Sequence, residues 1–349
     1  MLPTGLHSLR YADDARILKT TRSRLWGLAL LAGLGATPFL AGAYLTGVMT
    51  EMFITLIAVL GLYVTLGMAG QINVAQSAFV GIGAFTAAKL SGYGLPFLLI
   101  VPIAGLVTAS ISVLFAWPAA RLKGFYLALT TLAAQVVFPI VVLALPTDWL
   151  GGLVGMAVEP LEIAGIRMGT PVHLYFVTLA LAALSVVAAF NLGRSRMGRA
   201  MMAVRDNDIA AEVVGIPVFR IKLLAFFAGS LFAGVAGACM AYFLQFVTVS
   251  SFSLFASVWY LGMLIVGGLG SPLGAILGVA FITLVQESLH GVANVLVRAG
   301  VGSGGALFAL TSMALGTCIL LTLIFEPRGL AHRWAVLRTG FQLWPFPRN

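Results

Sequence analysis

The sequence predicts an all-α protein, a bundle of helices that crosses a membrane many times, and three observations lead to this fold class. Of the 349 residues, 60% are hydrophobic and only 9% are charged, whereas soluble globular proteins carry about 25% charged residues. The apolar residues are gathered into long runs without charges, and the basic residues lie between these runs. Such a chain cannot cover a water-facing surface of its own size, which excludes a soluble enzyme, a disordered chain and a disulfide scaffold.

Ten apolar runs are the candidate crossings, and most have the roughly 20 residues that a helix needs to span about 30 Å of hydrocarbon. Three shorter runs are rich in glycine and other small residues, so we expect tilted, broken or partly re-entrant helices there. If the region 257–286 dips into the membrane and returns, eight crossings remain. The ten runs are 25–45, 52–68, 74–88, 97–117, 124–145, 172–191, 223–246, 257–269, 273–286 and 305–325.

The distribution of basic residues predicts the orientation of these crossings. If both termini are cytoplasmic, 17 of the 20 basic residues lie on the cytoplasmic side, and only Lys89, Arg167 and Arg298 lie outside. This bias follows the positive-inside rule and requires an even number of crossings. The net charge of +9 is therefore explained by the orientation of the chain in the membrane and gives no indication of nucleic-acid binding.

The same reasoning divides the chain into regions. We expect a cytoplasmic N-terminal segment over 1–24, a transmembrane domain over 25–326 and a cytoplasmic tail over 327–349. Within the transmembrane domain, 146–171 forms an outer loop and 193–222 forms a cytoplasmic loop. The first 24 residues are polar and basic, so they do not resemble a signal peptide.

The chain carries no recognisable motif for catalysis, metal binding or ATP binding. None of its four histidines stands in an HExxH motif, no serine stands in GxSxG, and no lysine follows a glycine as a phosphate-binding loop requires. We therefore expect no catalytic residue, no metal and no cofactor. No ionisable residue lies near the middle of a run, which argues against a proton-coupled carrier but not against a sodium-coupled one.

The cytoplasmic loop 193–222 is the longest and most charged, and it predicts a short helix beneath the membrane. Asp206 or Asn207 can cap this helix, Gly215 can end it in a left-handed conformation, and Pro217 blocks its extension. The helix either packs against its own bundle or docks onto a partner. Its apolar stripe consists of Ile209, Val213 and Ile216, and its polar face of Arg205, Asp208 and Glu212.

A glycine repeat near the end of the transmembrane domain predicts close helix packing. Gly270, Gly274 and Gly278 recur every four residues, so one helix face has no side chains. A moving hinge is the alternative interpretation of this pattern.

Uncharged polar residues inside two spans also have two interpretations. They either form hydrogen bonds between helices or line a path for a zwitterion, because amides and hydroxyls pair with charged groups without binding them tightly. Gln71 and Asn73 belong to the first of these clusters. The candidate path residues are Gln76, Ser77, Thr130, Thr131 and Gln135.

Five stretches, in order over residues 50–330, resemble the permeases of ABC importers. The resemblance is to the branched-chain amino acid, or Liv-type, branch of these permeases and within it to the longer, M-like subunit. The loop sequence Ala210-Ala211-Glu212 through Gly215-Ile216 resembles the family's cytoplasmic coupling loop. The other four stretches are 70–79 with 81–85, 121–132, 267–274 with Gly278, and 326–330.

The resemblance implies a permease subunit of the bacterial inner membrane that is not itself an enzyme. It implies two ABC ATPase subunits, a second homologous permease and a periplasmic substrate-binding protein as partners, with 146–171 in the periplasm. Residues 147–156 lack the Gly-Ser-Asp-Gly spelling expected in that loop, so the sister urea and amide branch stays an alternative. A secondary carrier or channel and a membrane-embedded enzyme are further alternatives. The residues implied in coupling to the ATPase are Arg205, Asp206, Asp208, Ala211, Glu212 and Gly215.

Overall fold

A computed structural model of the chain describes residues 21–40, 42–122, 124–160, 162–163, 166–167, 171–298 and 304–343. Within these ranges the chain is a bundle of α-helices. In chain order they are α1 (Thr21–Leu40), α2 (Gly42–Leu62), α3 (Gln76–Ser91), α4 (Phe97–Ala119), α5 (Phe125–Ala144), α6 (Thr147–Leu150), α7 (Pro171–Arg194), α8 (Arg196–Asp206), α9 (Asp208–Val213), α10 (Val218–Leu244), α11 (Leu254–Gly267), α12 (Pro272–Arg298), α13 (Gly304–Phe325) and α14 (Leu330–Leu343).

The described strands form two short antiparallel pairs. β1 (Met156–Ala157) pairs with β4 (Phe246–Val247), and β2 (Glu162–Ile163) pairs with β3 (Ile166–Arg167). The first pair joins the predicted outer loop to the segment that follows α10. A 3₁₀ turn over Val249–Ser251 then leads to α11.

Each of the ten apolar runs corresponds to one of the long helices, which confirms the all-α polytopic fold. Among the described residues, seven segments are long and apolar enough to cross a membrane. The bent pair Leu310–Phe325 and Leu330–Thr339, with an angle of 48° between its halves, makes up to eight. The upper count of eight agrees with the lower end of the predicted range of eight to ten crossings. Two of the ten helices are not included in this count: α1, which begins with basic residues, and α3, which has only 16 residues.

The centre of the bundle is α10, which packs against α2, α3 and α4. Glycines allow these backbones to approach closely. A Cβ atom on Gly229 of α10 would lie 2.7 Å from the carbonyl oxygen of Gly61 in α2, and one on Gly234 would lie 2.7 Å from the carbonyl oxygen of Ala104 in α4. Small residues at helix crossings replace the hydrophobic effect as the source of association in lipid, because they bring more atoms into contact.

The helix α2 does not end cleanly but passes into a π-helix over Tyr63–Met68 and then into a non-helical segment. Gly70 has a φ of +67°, a left-handed conformation that glycine adopts without strain. The carbonyl of Thr65 is bonded by the N–H of Gln71 at 2.9 Å. Residues 69–75, which we call the break, therefore place irregular backbone inside the bundle, where side chains of neighbouring helices must satisfy it.

Several basic loops meet at one end of the bundle, which we call the basic end. One cleft there is lined by residues 69–71 of the break, Leu122, Gly124, residues 204–208 and Lys222. The junction of α11 and α12 lies at the same end, since a Cβ on Gly67 would be 2.8 Å from the carbonyl oxygen of Leu269. At the opposite end, the N–H of Glu159 reaches the Ser91 hydroxyl at 3.4 Å. That the basic end is cytoplasmic stays a prediction.

Candidate functional site

The predicted loop 193–222 folds into two short helices, α8 and α9, between α7 and α10. The side-chain oxygen of Asn207 accepts a hydrogen bond from the N–H of Ala210 at 3.0 Å, so Asn207 rather than Asp206 caps α9. Gly215 follows the helix with a φ of +86°, and its N–H bonds to the carbonyl of Glu212 at 3.0 Å. With six residues, α9 is shorter than the two or three turns predicted.

The helix α8 is a feature that the sequence reasoning missed. Its cap is Ser195, whose hydroxyl accepts from the N–H of Gly198 at 3.0 Å, and its buried side chains are Met201 and Val204. A serine followed by apolar residues at helical spacing is the signal that could have found it. Together, α8 and α9 form a unit of two capped helices at the basic end.

The apolar stripe of α9 faces away from the protein. Ile209, Val213 and Val214 are 66%, 82% and 75% exposed, whereas Ala211 is buried. Ile216 differs from the prediction, because it packs partly against the core. We call Ile209, Val213 and Val214 the α9 patch. Clustered aliphatic side chains that project from a capped helix are typical of a protein–protein contact.

Arg205, at the end of α8, connects this unit to the break. Its Nη1 donates to the carbonyl of Gly67 at 2.6 Å, and its Nε and Nη2 donate to Asp206 Oδ1 at 3.0 and 2.9 Å. Its aliphatic part covers Gly70, where a Cβ would lie 2.7 Å from Arg205 Cγ. A cation at the carbonyl end of a helix is favourable, so this contact holds the end of the π-helix.

A polar cleft of about 340 Å³ opens beside Arg205, and we call it the basic-end cleft. Residues 69–71, 204–208, the turn before α5 and Lys222 form its walls. Lys222 Nζ lies 3.9 Å from Asp208 Oδ2, and both side chains are largely buried. The predicted coupling residues Arg205, Asp206 and Asp208 thus line a cavity as well as belonging to the loop.

The candidate path residues lie deeper, where they hold helices together. Gln135 of α5 accepts from the N–H of Ala78 and from the Ser257 hydroxyl, both at about 2.9 Å, and donates to the carbonyl of Phe252 at 2.9 Å. It therefore joins α5 to α3 and to the start of α11. Gln76 donates to the carbonyl of Ala58 at 2.7 Å and so joins α3 to α2.

The two threonines differ in their surroundings. The Thr131 hydroxyl is buried and accepts from the N–H of Val74 in the break at 3.1 Å. The Thr130 hydroxyl is less buried and donates to the carbonyl of Tyr126 on its own helix at 2.9 Å. In this conformation Gln76, Thr131 and Gln135 thus make bonds between segments, which is the structural interpretation, and a path role for them stays a prediction.

Two polar groups near this network lack a partner among the described residues. Both amide atoms of Gln71 are buried without a hydrogen bond, although the residue is only 1% exposed, and the Ser77 hydroxyl is buried and unbonded as well. An unpaired buried amide costs several kcal/mol in an apolar environment. Sequence reasoning grouped Gln71 with the polar cluster but did not single it out.

The three glycines of the repeat have different surroundings. Gly274 and Gly278 of α12 face the end of α11, and a Cβ on Gly278 would lie 2.9 Å from the amide nitrogen of Gly267. For Gly270 the packing prediction is wrong, because this residue precedes α12 and a Cβ there would meet no heavy atom within 4 Å. Gly329 completes the contact instead, since its Cβ would lie 2.6 Å from the amide nitrogen of Gly268.

Comparisons with known proteins show which family the chain is similar to. A family model described as "Branched-chain amino acid transport system / permease component" matches residues 44–324. The chain is 31% identical over 336 residues to the high-affinity branched-chain amino acid transport system permease protein LivM of Salmonella typhimurium strain LT2, covering 89% of this chain and 75% of that protein. LivM of Escherichia coli K12 gives the same identity and coverage.

A relative with a different printed function is also similar. The autoinducer 2 import system permease protein LsrC of Enterobacter sp. strain 638 is 29% identical over 285 residues, which cover 75% of this chain and 77% of that protein. No solved structure matches the chain significantly.

Proposed function

We propose that this chain, which belongs to the family of branched-chain amino acid transport permease components, is the M-like permease subunit of an ABC importer in the bacterial inner membrane. As a multi-pass membrane protein it supplies the passage and no chemistry. The observation that carries this proposal is the exposed α9 patch, on a capped helix whose neighbour α8 is bonded through Arg205 to Gly67, near the end of the π-helix that leads into the break.

The α9 patch is the proposed docking site for one of two ABC ATPase subunits. Binding of ATP closes the ATPases, and the motion pushes α8 and α9 as a rigid body. Ala211 anchors α9 to the bundle, Glu212 lies beside the patch, and Gly215 ends the helix without strain. The movement is transmitted to the transmembrane helices through the contact of Arg205 with Gly67. The conformation of the break therefore changes with each cycle of ATP hydrolysis.

A second, homologous permease would complete the passage, and a periplasmic binding protein would deliver the cargo to it. The proposed path passes Gln76, Ser77, Thr130, Thr131 and Gln135. Opening it requires some of the hydrogen bonds of Gln76 and Gln135 to be exchanged for water or cargo. Each such bond contributes about 1 kcal/mol net, so the exchange lies within the energy that ATP-driven motion supplies.

The proposed cargo is a branched-chain amino acid, supported by the identity to LivM over most of the chain. The unusual outer loop favours a second candidate, urea or an amide, and LsrC, whose name refers to autoinducer 2, is a relative with a different cargo. Uptake of labelled leucine into proteoliposomes, with the cognate partners and in competition with isoleucine, valine, urea and ribose, decides between them. Competition by isoleucine and valine alone is expected, and competition by urea alone would contradict the amino-acid assignment.

The proposed topology puts the basic end, with 193–222 and both terminal segments, 1–24 and 327–349, in the cytoplasm, and 146–171 in the periplasm. Val154 and Val213 are similarly exposed and lie in the outer loop and the α9 patch, respectively. In a cysteine-free background, cysteine at position 154 should react with an impermeant maleimide in intact spheroplasts, and cysteine at position 213 should not. The opposite pattern would invert the topology.

A further inference from the structure

We propose that the basic-end cleft is a release site for a zwitterionic aliphatic α-amino acid, which it holds by both charges and by its side chain before the cargo leaves the bundle. This inference rests on the function proposed above and names residues that would contact the cargo at the exit of the path. The evidence consists of the charges in the cleft, its aliphatic lining residues and a buried amide beside it that lacks a partner among the described residues.

The cleft presents both signs of charge at the spacing that a zwitterion needs. Lys222 Nζ and Asp208 Oδ2 are 3.9 Å apart, a loose contact for an ion pair. An α-amino acid carries its ammonium and carboxylate on one carbon atom, so it can bridge these two groups, with its carboxylate on Lys222 and its ammonium on Asp208. Both side chains are largely buried, and charge-assisted bonds are stronger there than in open water.

Part of the lining of the cleft is aliphatic. Ala69, Leu122, Leu127 and Val204 form this part, and Leu122 is partly open to solvent at the mouth. A branched aliphatic side chain would bury its surface against these residues, at about 25 cal/mol for each Å² removed from water. A free anion, a free amine or urea would use only part of the cleft, so the combined lining favours an amino acid with an apolar side chain.

Gln71 provides the second, independent observation. It lines the cleft from the break, and both atoms of its buried amide lack a hydrogen-bond partner in the part of the chain that the structure describes. An amide can donate to a carboxylate and accept from an ammonium, so a passing zwitterion satisfies it. One residue further along the chain, the carbonyl of Ile72 is near the Thr131 hydroxyl at 3.4 Å, which connects the cleft to the polar network above it.

The site would also be coupled to the ATPases. Arg205 and Asp208 belong to α8 and α9, whereas Lys222 belongs to α10 and Gln71 to the break. Movement of the α8–α9 unit therefore changes the distance between Asp208 and Lys222. In one conformation the site binds both charged groups of the cargo. In the other conformation it binds only one of them, so the cargo is released into the cytoplasm.

Cysteine protection tests this proposal on the assembled transporter. The background carries Cys239→Ala and Cys318→Ala, and Leu122→Cys places a reporter at the mouth of the cleft. The complex with its partner subunits is held in nanodiscs, and the rate of maleimide labelling is measured with L-leucine, isovalerate or isopentylamine. The last two probes each lack one of the two charges of leucine.

Leucine at about ten times its dissociation constant should slow labelling about tenfold, because only the unoccupied cleft reacts. Isovalerate and isopentylamine at the same concentration should leave the rate unchanged within about twofold, since each loses one ionic contact. Equal protection by isovalerate would overturn the zwitterion site in favour of a simple anion site. Labelling could instead be slow with every solute and become fast when the ATPases are removed. This result would mean that an ATPase residue fills the cleft, and it would also overturn the proposal.

Two variants assign the charges. Lys222→Met should abolish protection by leucine, whereas Lys89→Met, at the opposite end of the bundle, should preserve it. If Lys222→Met lowers the yield of the complex, Asp208→Asn replaces it, with the same expectation. ATP-driven leucine uptake is measured on the unlabelled complex after reconstitution into proteoliposomes. Uptake without protection contradicts only the release site, and no uptake of any branched-chain amino acid contradicts the proposed function itself.

Discussion

The guanidinium of Arg205 donates a hydrogen bond to the carbonyl of Gly67 at 2.6 Å, across 138 residues of sequence. One partner belongs to a short helix outside the spans, and the other to the π-helix that ends the first long span. This bond connects the α8–α9 unit to the π-helix that leads into the break. If a bound partner moves the α9 patch, Arg205 transmits this movement to the bundle.

The substitution Gly70→Ala should uncouple the transporter. A Cβ at this position would lie 2.7 Å from Arg205 Cγ and would displace the arginine from Gly67. We expect binding-protein-stimulated ATP hydrolysis to persist while leucine uptake falls about tenfold, the equivalent of about 1.4 kcal/mol in the coupled step. Gly94→Ala is the matched control, because its φ of +72° is similarly strained for alanine but its Cβ meets open space. Equal loss of uptake in both variants would assign the effect to backbone strain alone.

A charge in the α9 patch should prevent ATPase docking without harming the fold. Val213→Asp adds a carboxylate at a side chain that is 82% exposed, so the thermal stability of the isolated permease should not change. Loss of one aliphatic side chain buried at the docked surface costs about 1.5–3 kcal/mol, which predicts a drop of roughly tenfold or more in ATPase co-purification. Val154→Asp, also 76% exposed but at the other end, should co-purify normally. Normal co-purification of Val213→Asp would remove the docking assignment.

Replacement of Gln135 should destabilise the bundle more than replacement of Thr130. Gln135→Leu leaves the N–H of Ala78 and the carbonyl of Phe252 without their partner, at a cost of about 1–3 kcal/mol for each orphaned group. Thr130→Val removes only a bond within its own helix. The melting temperature in detergent should therefore fall clearly for the first variant and little for the second. A normal melting temperature for Gln135→Leu with an altered transport rate would instead support a pure path role.

The glycine contact between α11 and α12 gives a stability prediction with an internal control. In Gly278→Ala the new Cβ would lie 2.9 Å from the amide nitrogen of Gly267, so the helices must separate. Overpacking of this kind costs about 1–3 kcal/mol. Gly270→Ala, four and eight residues before the two packed glycines, should leave the melting temperature unchanged because its Cβ meets nothing within 4 Å. Similar losses in the two variants would contradict the assigned helix contact.

The parts of this structure that local chemistry determines were predictable from the sequence. The long uncharged runs became the long helices, and the cap at Asn207 and the left-handed Gly215 follow from side-chain size and hydrogen-bonding capacity. The register of Gly274 and Gly278 on one helix face was predictable for the same reason. Each of these features depends on a few neighbouring residues.

Features that depend on residues distant in sequence were not predictable. The outward direction of Ile209 and Val213 depends on Ala211 being the residue that meets the bundle. The unpaired amide of Gln71 depends on which groups the break places beside it, and the role of Gly329 on where the chain returns to α11. Length and hydropathy select up to eight spans, within the predicted range of eight to ten, and they do not assign a short apolar helix such as α3 to the membrane or to the protein interior.

The most direct measurement of the central claim is the energy source of transport. The chain is reconstituted with its second permease, the two ATPases and the binding protein, and labelled leucine uptake is followed with ATP inside the proteoliposomes or with an imposed sodium or proton gradient. We predict uptake that requires ATP and the binding protein, and that Val213→Asp abolishes. Uptake driven by an ion gradient in the absence of the ATPases would contradict the account and identify the chain as a secondary carrier.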